Sequence, residues 1–455
     1  MTLIASISGI RGIFGDGLDP AVLVRYATAY GRWCAGRAKG GRPVVVVGRD
    51  GRTTGSLCSR IVTATLQATG CDVVDAGLAT TPTVEMGVIF HKATGGIVLS
   101  ASHNPPEWNA LKLLNEKGEF LSADEGEEVL KLADQVPAYV RYDAAGSHTR
   151  RDFLDAHIDA ILALPYVNRE VIKSRGFRVV VDAVNSVGGI AVPRLLERLG
   201  VDPSNVICLN CEPTGIFAHP AEPLPENLVE TCARVAEIGA DLGVVVDPDA
   251  DRLALIDGQG RYVSEELTQV LAADFLWGIR KGPFVTNLSS SRVIEDVAAR
   301  HGQQVHRSAV GEINVVKKMQ AVGAVLGGEG NGGVIVPDLH YGRDALVGIT
   351  FILQHLAQRN TTLAELHDAM PRYAMMKSKL PLEGLDPDGV LDRLAARYAG
   401  ERVNREDGLK VDFDNGWVHF RKSNTEPIMR IYAEARTEEE VREMVDRIRA
   451  DVAAP

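Results

Sequence analysis

The stretch Gly243-Val-Val-Val-Asp-Pro-Asp-Ala-Asp-Arg252 joins a short apolar run to a polar loop. A continuous apolar run bounded by turn residues is typical of a strand that is buried on both faces of a parallel sheet. Asp247, Asp249 and Asp251 stand at alternate positions, so their carboxylates can converge only if the chain curls after the strand. Converging carboxylates repel one another unless a divalent cation neutralises them, and an all-oxygen set suits Mg²⁺. The stretch therefore predicts an α/β fold with a metal-binding loop at the end of a strand.

Two other kinds of protein carry acidic residues at this spacing. An EF-hand loop is excluded, because it needs a glycine where Arg252 stands and a bidentate glutamate at its twelfth position. A haloacid-dehalogenase-like phosphatase also begins with Asp-x-Asp after a strand, and it would use Asp247 as a nucleophile. On these residues alone, a metal-dependent phosphatase stays an alternative.

Similar apolar runs recur at 43–48, 96–100, 177–182 and 284–288, and helical patterns begin at Ser56 and at Ala191 between them. Strands that alternate with helices indicate a mostly parallel sheet covered on both faces. We therefore predict three successive α/β units. Composition places linkers at residues 142–151 and around residues 371–387.

The pattern changes after the second linker. Asp414-Asn-Gly416 lies between two runs of strand-forming residues, and Asn-Gly accepts the positive φ angles of a hairpin turn. Thr437 and Glu440 form a capping-box pattern before an amphipathic helix. We predict a smaller α+β domain here, and the boundaries 1–150, 151–252, 253–370 and 371–455 for four domains.

Charge and composition exclude several classes of function. The chain of 455 residues has 49 Lys and Arg against 60 Asp and Glu, a net charge of −11, and 45% of its residues are hydrophobic. We expect no nucleic acid as a partner, since no basic patch neutralises phosphates. No apolar run reaches the ~18–20 residues of a membrane span, and Arg11 interrupts the N-terminal apolar stretch, so we expect a cytoplasmic protein with no membrane partner. The six cysteines are too few for a disulfide framework, and we expect Cys208-x-x-Cys211 to be reduced core residues.

Three further segments carry candidate chemistry. Ser102 follows a predicted strand, where it is either an exposed nucleophile or a loop residue that hydrogen-bonds the backbone. The glycine-rich segment 327–333 either presents Glu329 and Asn331 to sugar hydroxyls or is a flexible loop. The segment 421–427, with Arg430 on the next strand, places guanidinium, amide and hydroxyl groups around one turn and predicts phosphate binding.

Taken together, these motifs resemble the α-D-phosphohexomutase family in content and in order, over essentially the whole chain. The resemblance implies four domains around a central cleft, three similar α/β domains and a smaller C-terminal α+β domain. Each domain provides one loop, for phosphoserine, metal, sugar and phosphate in turn. The five motifs are Gly9-Ile-Arg-Gly12, Ser100-Ala-Ser-His-Asn-Pro105, Asp247-Pro-Asp-Ala-Asp-Arg252, Gly328-Glu-Gly-Asn-Gly332 and Arg421-Lys-Ser-Asn-Thr-Glu-Pro427.

The resemblance also implies roles for single residues. Ser102 is the residue carried as phosphoserine, and one of its oxygens joins Asp247, Asp249 and Asp251 as a ligand of Mg²⁺. The residues implied for proton transfer and phosphoryl binding are Lys112, Arg11, His103 and Arg252. If Lys112 is a base, we expect its pKa to be lowered. The residues implied for binding the sugar and the phosphate that does not react are Glu329, Asn331, Arg421, Ser423, Asn424, Thr425 and Arg430.

The activity implied is the interconversion of hexose 6-phosphate and hexose 1-phosphate through a bound hexose 1,6-bisphosphate. Phosphoglucosamine mutase is the favoured specificity, and phosphomannomutase/phosphoglucomutase is the alternative. The sugar loop departs from the common Gly-Glu-x-Ser-Gly pattern, since Asn331 stands at the serine position. A non-catalytic sugar-phosphate sensor is a more distant alternative, and the oligomeric state stays open.

Overall fold

The computed structural model describes residues 2–6, 9–381, 386–422 and 428–453, and the chain divides into two compact units. Unit 1 contains residues 1–280 and 331–368, and unit 2 contains residues 281–330 and 369–455. No helix in the described ranges is long and apolar enough to cross a membrane.

The first sheet of unit 1 is mixed rather than mostly parallel. Its order is β1-β2-β7-β6-β4-β5-β8, with β3 beside β2. β4 runs parallel to β5 and β6, whereas β7 runs antiparallel to β6 and β2. Only residues 100–107 connect β6 to β7, and a parallel return needs a crossover of about a dozen residues or more. The strands are β1 (Ile4–Ser6), β2 (Gly9–Phe14), β3 (Gly17–Leu18), β4 (Val44–Arg49), β5 (Asp72–Leu78), β6 (Gly95–Leu99), β7 (Trp108–Leu114) and β8 (His148–Arg150).

Helices cover both faces of this sheet, as predicted. Val45 and Val47 of β4 belong to one buried cluster, whereas Val46 between them belongs to another. The first helix begins where the sequence indicates, because the Asp19 carboxylate accepts the Val22 N–H at 2.8 Å. The helices are α1 (Pro20–Arg37), α2 (Gly55–Ala68), α3 (Thr81–His91) and α4 (Ala123–Ala133).

The second sheet of unit 1 has the order β10-β9-β11-β12-β13. β9 is parallel to β10 and β11, and β12 returns antiparallel beside β11 through the loop at 247–252. Its strands are β9 (Val179–Asp182), β10 (Val206–Leu209), β11 (Leu242–Val246), β12 (Leu253–Asp257) and β13 (Tyr262–Val263). The other elements that begin in unit 1 are α5 (Leu154–Leu162), α6 (Arg169–Ser174), α7 (Gly188–Leu199), α8 (Val229–Glu237), α9 (Glu265–Trp277), β17 (Gly333–Ile335), α12 (Ala345–Arg359) and α13 (Leu363–Ala369).

Unit 2 contains a parallel α/β layer and an antiparallel sheet. The parallel strands are β14 (Phe284–Asn287), β15 (Val305–Ser308) and β16 (Leu326–Glu329), with β14 in the centre, and the helices are α10 (Val293–His301) and α11 (Glu312–Val322). The antiparallel order is β18-β22-β21-β20-β19. Its elements are β18 (Ala374–Pro381), α14 (Pro387–Arg397), β19 (Arg402–Asn404), β20 (Leu409–Phe413), β21 (Gly416–Lys422), β22 (Ile428–Ala435) and α15 (Glu438–Ala453).

The predictions for the C-terminal part are confirmed. Phe413 pairs with Gly416 across the predicted hairpin turn. Thr437 and Glu440 exchange hydrogen bonds of 3.1 and 3.2 Å at the start of α15.

Both predicted linkers contain a strand: residues 142–151 include β8, which extends the first sheet, and residues 371–387 include β18. One smaller prediction is wrong. Cys208 is exposed and Cys211 half-buried, so this pair is not in a core, whereas Cys34, Cys58 and Cys71 are buried. The exposure of Cys208 follows from its place on β10, which is an edge strand.

Candidate active site

Ser102 lies in the connection between β6 and β7 in a conformation that few non-glycine residues adopt. Its φ is +50°, in the left-handed region, and the residue is 4% exposed. The Ser100 hydroxyl accepts the Ser102 N–H at 2.9 Å, and the Ser102 hydroxyl donates to Asp247 Oδ2 at 2.6 Å. A hydroxyl held in this way, beside an acidic loop, is suited to act as a nucleophile.

A buried arginine that the sequence reasoning missed holds this connection in shape. Arg52 is 1% exposed and donates to the carbonyls of Ser102, Asn104, Pro105 and Trp108 at 2.5–3.0 Å. The planar guanidinium makes this possible because its donors have fixed directions. The available signal was the polar segment 50–52 at the carboxyl end of β4, the edge of the sheet where ligands bind.

The same guanidinium is balanced within its own loop. Arg52 Nε donates to Asp50 Oδ2 at 3.0 Å, and both side chains are fully buried. The Phe217 ring lies 5.0 Å from the guanidinium carbon of Arg52. The buried ion pair of Arg52 with Asp50 therefore lies against the connection that carries Ser102.

The three aspartates converge because the loop after β11 curls. Ala250 adopts φ +53°, and its N–H donates to the Asp247 carbonyl at 2.9 Å. One carboxylate oxygen from each of Asp247, Asp249 and Asp251 lies within 4.8 Å of the others, and all three residues are buried. The spacing predicted this convergence on the condition that the loop curls, and the loop does curl.

The donor set fits a hard divalent cation. Asp249 Oδ1 and Asp251 Oδ1 are buried without a hydrogen-bond partner in the described part of the chain. Burial, and then repulsion from Asp251 and Asp249, raises the pKa of Asp247 well above its usual value. Carboxylate oxygens crowded in this way are the ligands that Mg²⁺ and similar ions prefer, and a bound cation would remove the repulsion.

Lys112 contacts the same carboxylates from β7. Its Nζ lies 2.5 Å from Asp249 Oδ2 and 3.4 Å from Asp251 Oδ2. Burial lowers the pKa of Lys112, but the two carboxylates outweigh burial and raise the pKa above its usual value. A lowered pKa is expected only if Lys112 is a base, and in this arrangement the paired charges of Asp249 and Asp251 oppose it.

His103 is a neutral group beside the serine. Its Nδ1 lies 3.4 Å from Ser102 Oγ. Burial, and then the nearby charges of Arg252 and Arg11, lowers the pKa of His103 to about 2. Arg11 Nη1 donates to Asn104 Oδ1 at 3.0 Å, and Arg252 Nε lies 3.9 Å from Asp251 Oδ1. The predicted residues of unit 1 thus surround one buried centre.

Two more residues that the sequence reasoning missed contact the acidic loop. The Thr81 N–H donates to the Asp249 carbonyl at 2.9 Å, and its hydroxyl donates to the Asp249 carboxylate. Arg343 Nη2 donates to Asp251 Oδ2 at 2.7 Å. No local spacing connects these positions to the loop, because each comes from a distant segment.

A second buried cluster adjoins Arg343 in the chain. His340 lies 3.2 Å from Glu85 and 3.4 Å from Asp344, and His157 Nε2 lies 2.9 Å from the same Asp344 oxygen. Burial lowers the pKa of His340, but Asp344 and Glu85 outweigh burial and raise it to about 10. Asp344 also accepts the Leu346 N–H at the start of α12. The cluster therefore anchors the segment that carries Arg343.

The predicted sugar-binding and phosphate-binding residues belong mainly to unit 2. Glu329 is 3% exposed, and its Oε1 accepts from Asn287 Nδ2 at 2.9 Å and from the Gly311 N–H at 3.1 Å. Asn331 belongs to unit 1, where its Oδ1 accepts the Gly333 N–H at 3.2 Å. Ser423, Asn424 and Thr425 lie outside the described residues.

Two arginines face each other across neighbouring strands of unit 2. Arg421 of β21 pairs with Arg430 of β22, so both side chains lie on the same face of the sheet. Like charges directly opposite each other are unfavourable unless an anion lies between or beside them. Arg430 Nε is buried without a hydrogen-bond partner in the described ranges. The pair is therefore a candidate phosphate site.

The sequence matches four consecutive family domains that together cover nearly the whole chain. They are phosphoglucomutase/phosphomannomutase alpha/beta/alpha domains I, II and III at residues 4–139, 155–260 and 264–373, and the C-terminal domain at residues 375–451. The chain belongs to the phosphoglucomutase/phosphomannomutase family, and it is a phosphohexomutase, an isomerase that transfers a phosphoryl group within a hexose phosphate.

Relatives with related names match over almost their full length. A phosphoglucomutase/phosphomannomutase of Thermococcus kodakarensis is 36% identical over 445 residues, which are 96% of this chain and 96% of that protein. A probable phosphoglucosamine mutase of Methanopyrus kandleri is 33% identical over 444 residues, 96% and 95% of the two chains. The crystal structure of a phosphoglucomutase/phosphomannomutase family protein from Burkholderia thailandensis aligns with a TM-score of 0.85 at 26% identity and covers 99% and 98% of the two chains.

Proposed function

We propose that the protein is a phosphoglucosamine mutase that acts through a phosphoserine at Ser102 and a bound hexose 1,6-bisphosphate. The observation that carries this proposal is the short hydrogen bond from the buried Ser102 hydroxyl to the acidic loop at Asp247. In the first transfer, a sugar hydroxyl oxygen bonds to the phosphorus while the bond from phosphorus to Ser102 Oγ breaks. After the bisphosphate reorients, Ser102 Oγ attacks the other phosphoryl group and releases the product.

Each transfer moves one proton, and the proposed groups for it are Lys112, His103 and Arg11 around the serine. His103 Nδ1 lies 3.4 Å from Ser102 Oγ, but its lowered pKa makes it a weak base. Lys112 is held as an ammonium by Asp249 and Asp251, and it would exchange a proton more readily when these carboxylates hold a cation. Arg11 and Arg252 add positive charge around the site, where the phosphoryl group carries roughly −2.

We propose Mg²⁺ as the metal, held by Asp247, Asp249, Asp251 and a phosphoserine oxygen. When bound, Mg²⁺ would neutralise charge on the transferring phosphoryl group. In unit 2, we propose that Glu329 contacts sugar hydroxyls and that Arg421 and Arg430 bind the phosphate that does not react. The direct cross-strand pairing of Arg421 with Arg430 supports the phosphate assignment. The further proposed substrate contacts are Asn331 of unit 1 and Ser423, Asn424 and Thr425.

The choice of amino sugar is supported by the name of the Methanopyrus kandleri relative. The name of the Thermococcus kodakarensis relative favours phosphoglucomutase/phosphomannomutase activity as the second candidate. The domain boundaries 1–150, 151–252, 253–370 and 371–455 and a cytoplasmic location remain part of the proposal.

Phosphorus NMR tests the proposal directly. Protein with Mg²⁺ and a trace of hexose bisphosphate is offered glucosamine, N-acetylglucosamine, glucose and mannose phosphates separately. We expect conversion of glucosamine phosphate, complete loss of turnover in Ser102→Ala, and normal turnover in the exposed control Ser204→Ala. Preference for glucose or mannose phosphate would favour the second candidate. Release of inorganic phosphate alone would indicate a phosphatase, and binding without turnover would indicate a sensor.

A further inference from the structure

Unit 2 contains a closed ring of hydrogen bonds that includes Glu329 and Asp407, and Asp407 also pairs with Arg421. One half of the ring runs along the ends of the parallel strands. Glu329 accepts from Asn287 Nδ2 at 2.9 Å, and Asn287 Oδ1 accepts the Ser289 N–H at 2.9 Å. Ser289 Oγ then contacts His419 Nδ1 at 2.8 Å, which brings the ring to β21.

The other half of the ring returns through Asp407, in the loop between β19 and β20. His419 Nε2 donates to the Asp407 carbonyl at 2.6 Å, and Asp407 Oδ2 accepts the Val310 N–H at 2.9 Å. The next N–H along the chain, that of Gly311, donates to Glu329 at 3.1 Å and closes the ring. The hydrogen bonds and the short chain segments between them thus link Asp407 to Glu329 by two routes.

The histidine in the ring has a defined protonation state. The Asp407 carbonyl can only accept, so His419 Nε2 carries a hydrogen and Nδ1 accepts from the Ser289 hydroxyl. Burial lowers the pKa of His419 to about 4, although its hydrogen bond to Asp407 opposes that effect. Near neutral pH, the His419 imidazole is therefore neutral, and each of its two nitrogens has one hydrogen-bond partner.

Asp407 also holds Arg421. The same Oδ2 that accepts the Val310 N–H accepts from Arg421 Nε at 2.7 Å, and both side chains are about one-fifth exposed. Since Nε faces Asp407, the edge formed by the two Nη nitrogens is the one that can face a phosphate in a bidentate manner. Arg430 lies directly across the strand pair from Arg421.

We propose that Asp407 is a positioning residue that fixes Arg421 relative to Glu329, so that the distal phosphate and the sugar ring bind in one register. The residues it joins come from two of the matched family domains, 264–373 and 375–451. The bisphosphate binds in two orientations. In each of them, the distance between the sugar contact at Glu329 and the phosphate contact at Arg421 must be the same. This inference rests on the proposed substrate roles of Glu329 and Arg421.

The test compares steady-state kinetics with glucosamine phosphate for wild-type protein, Asp407→Ala, Arg421→Ala and the double variant. Loss of a hydrogen bond to a charged group should raise KM about 10- to 100-fold, and kcat should change much less, because the distal phosphate is bound equally before and during transfer. If Asp407 acts through Arg421, the double variant should have the KM of Arg421→Ala alone. The exposed pair of Asp392 with Arg405 provides the control Asp392→Ala, whose KM should match that of wild type.

Asp407→Asn keeps one carbonyl oxygen for the Val310 N–H and Arg421, and should restore part of the lost affinity. It also keeps the test decisive if Asp407→Ala does not fold, as judged by thermal unfolding. An unchanged KM in either folded Asp407 variant, or effects that multiply in the double variant, would overturn the inference while the proposed function stands. Absence of hexose phosphate turnover in wild-type protein would instead overturn the proposed function.

Discussion

Arg52 provides the sharpest test of how the serine connection is held. Replacement by lysine keeps the positive charge beside Asp50 but leaves at most three donors, whereas the guanidinium makes five hydrogen bonds, one to Asp50 and four to carbonyls. At least two bonds from a charged donor are therefore lost, at about 1.5–3 kcal/mol each. Arg52→Lys should lower the free energy of unfolding by about 3–6 kcal/mol, a large share of the ~5–15 kcal/mol of a typical domain.

The same change should affect catalysis more than substrate affinity. Freed carbonyls at Ser102 and Asn104 would let the Ser102 hydroxyl move away from Asp247, and a displacement of about 1 Å can reduce the rate about 100-fold. Urea unfolding gives the stability, and kcat under saturating hexose phosphate gives the catalytic effect. Arg194→Lys is the control, because Arg194 is exposed and pairs with the carboxylates of Asp155 and Glu197. A variant that loses stability but keeps its kcat would refute the positioning role, and one that loses neither would refute the whole argument.

Three further predictions follow from buried charges. Asp249→Asn should weaken Mg²⁺ binding measured by calorimetry, since a ligand charge is removed, and an unchanged affinity would contradict the metal assignment. The pKa of His340 is raised from 6.5 to about 10, so its protonated form should stabilise the fold fully below pH 6.5, and this stabilisation should be lost as the pH rises through 10. The stability difference between wild type and His340→Gln should thus narrow from pH 7 to pH 10, and a constant difference would argue against the paired imidazolium. Arg430→Met should raise KM for hexose phosphate, whereas the more exposed Arg436→Met should not, and equal effects would argue against a phosphate site at Arg430.

Much of the fold could be predicted because its signals are local. Apolar runs of strand length, the Asp19 cap and the hairpin at Asp414-Asn-Gly416 each depend on residues close together in the chain. The mixed character of the first sheet was missed because strand direction depends on the length of a connection. Residues 100–107 are too few for a crossover, so β7 returns antiparallel to β6.

The candidate site could be predicted only in part. Ser102, the aspartates and Lys112 lie in motifs whose residue types indicate their chemistry, and the structure brings them together. The raised pKa of Lys112 could not be predicted from the sequence, because two carboxylates from a distant loop outweigh burial. Such a balance depends on distances of a few ångströms, which spacing does not specify.

By itself, the sequence determined the order of the α/β units, the late antiparallel hairpin and the residue types in each candidate site loop. These follow from periodicity and turn chemistry, which act over a few residues. Only the tertiary structure decided that Arg52 clamps the serine connection, that Arg343 and Thr81 hold the acidic loop, and that Asp407 joins Arg421 to the ring through Glu329. Each of these contacts joins residues far apart in the chain, and their geometry exists only after the strands and helices have packed.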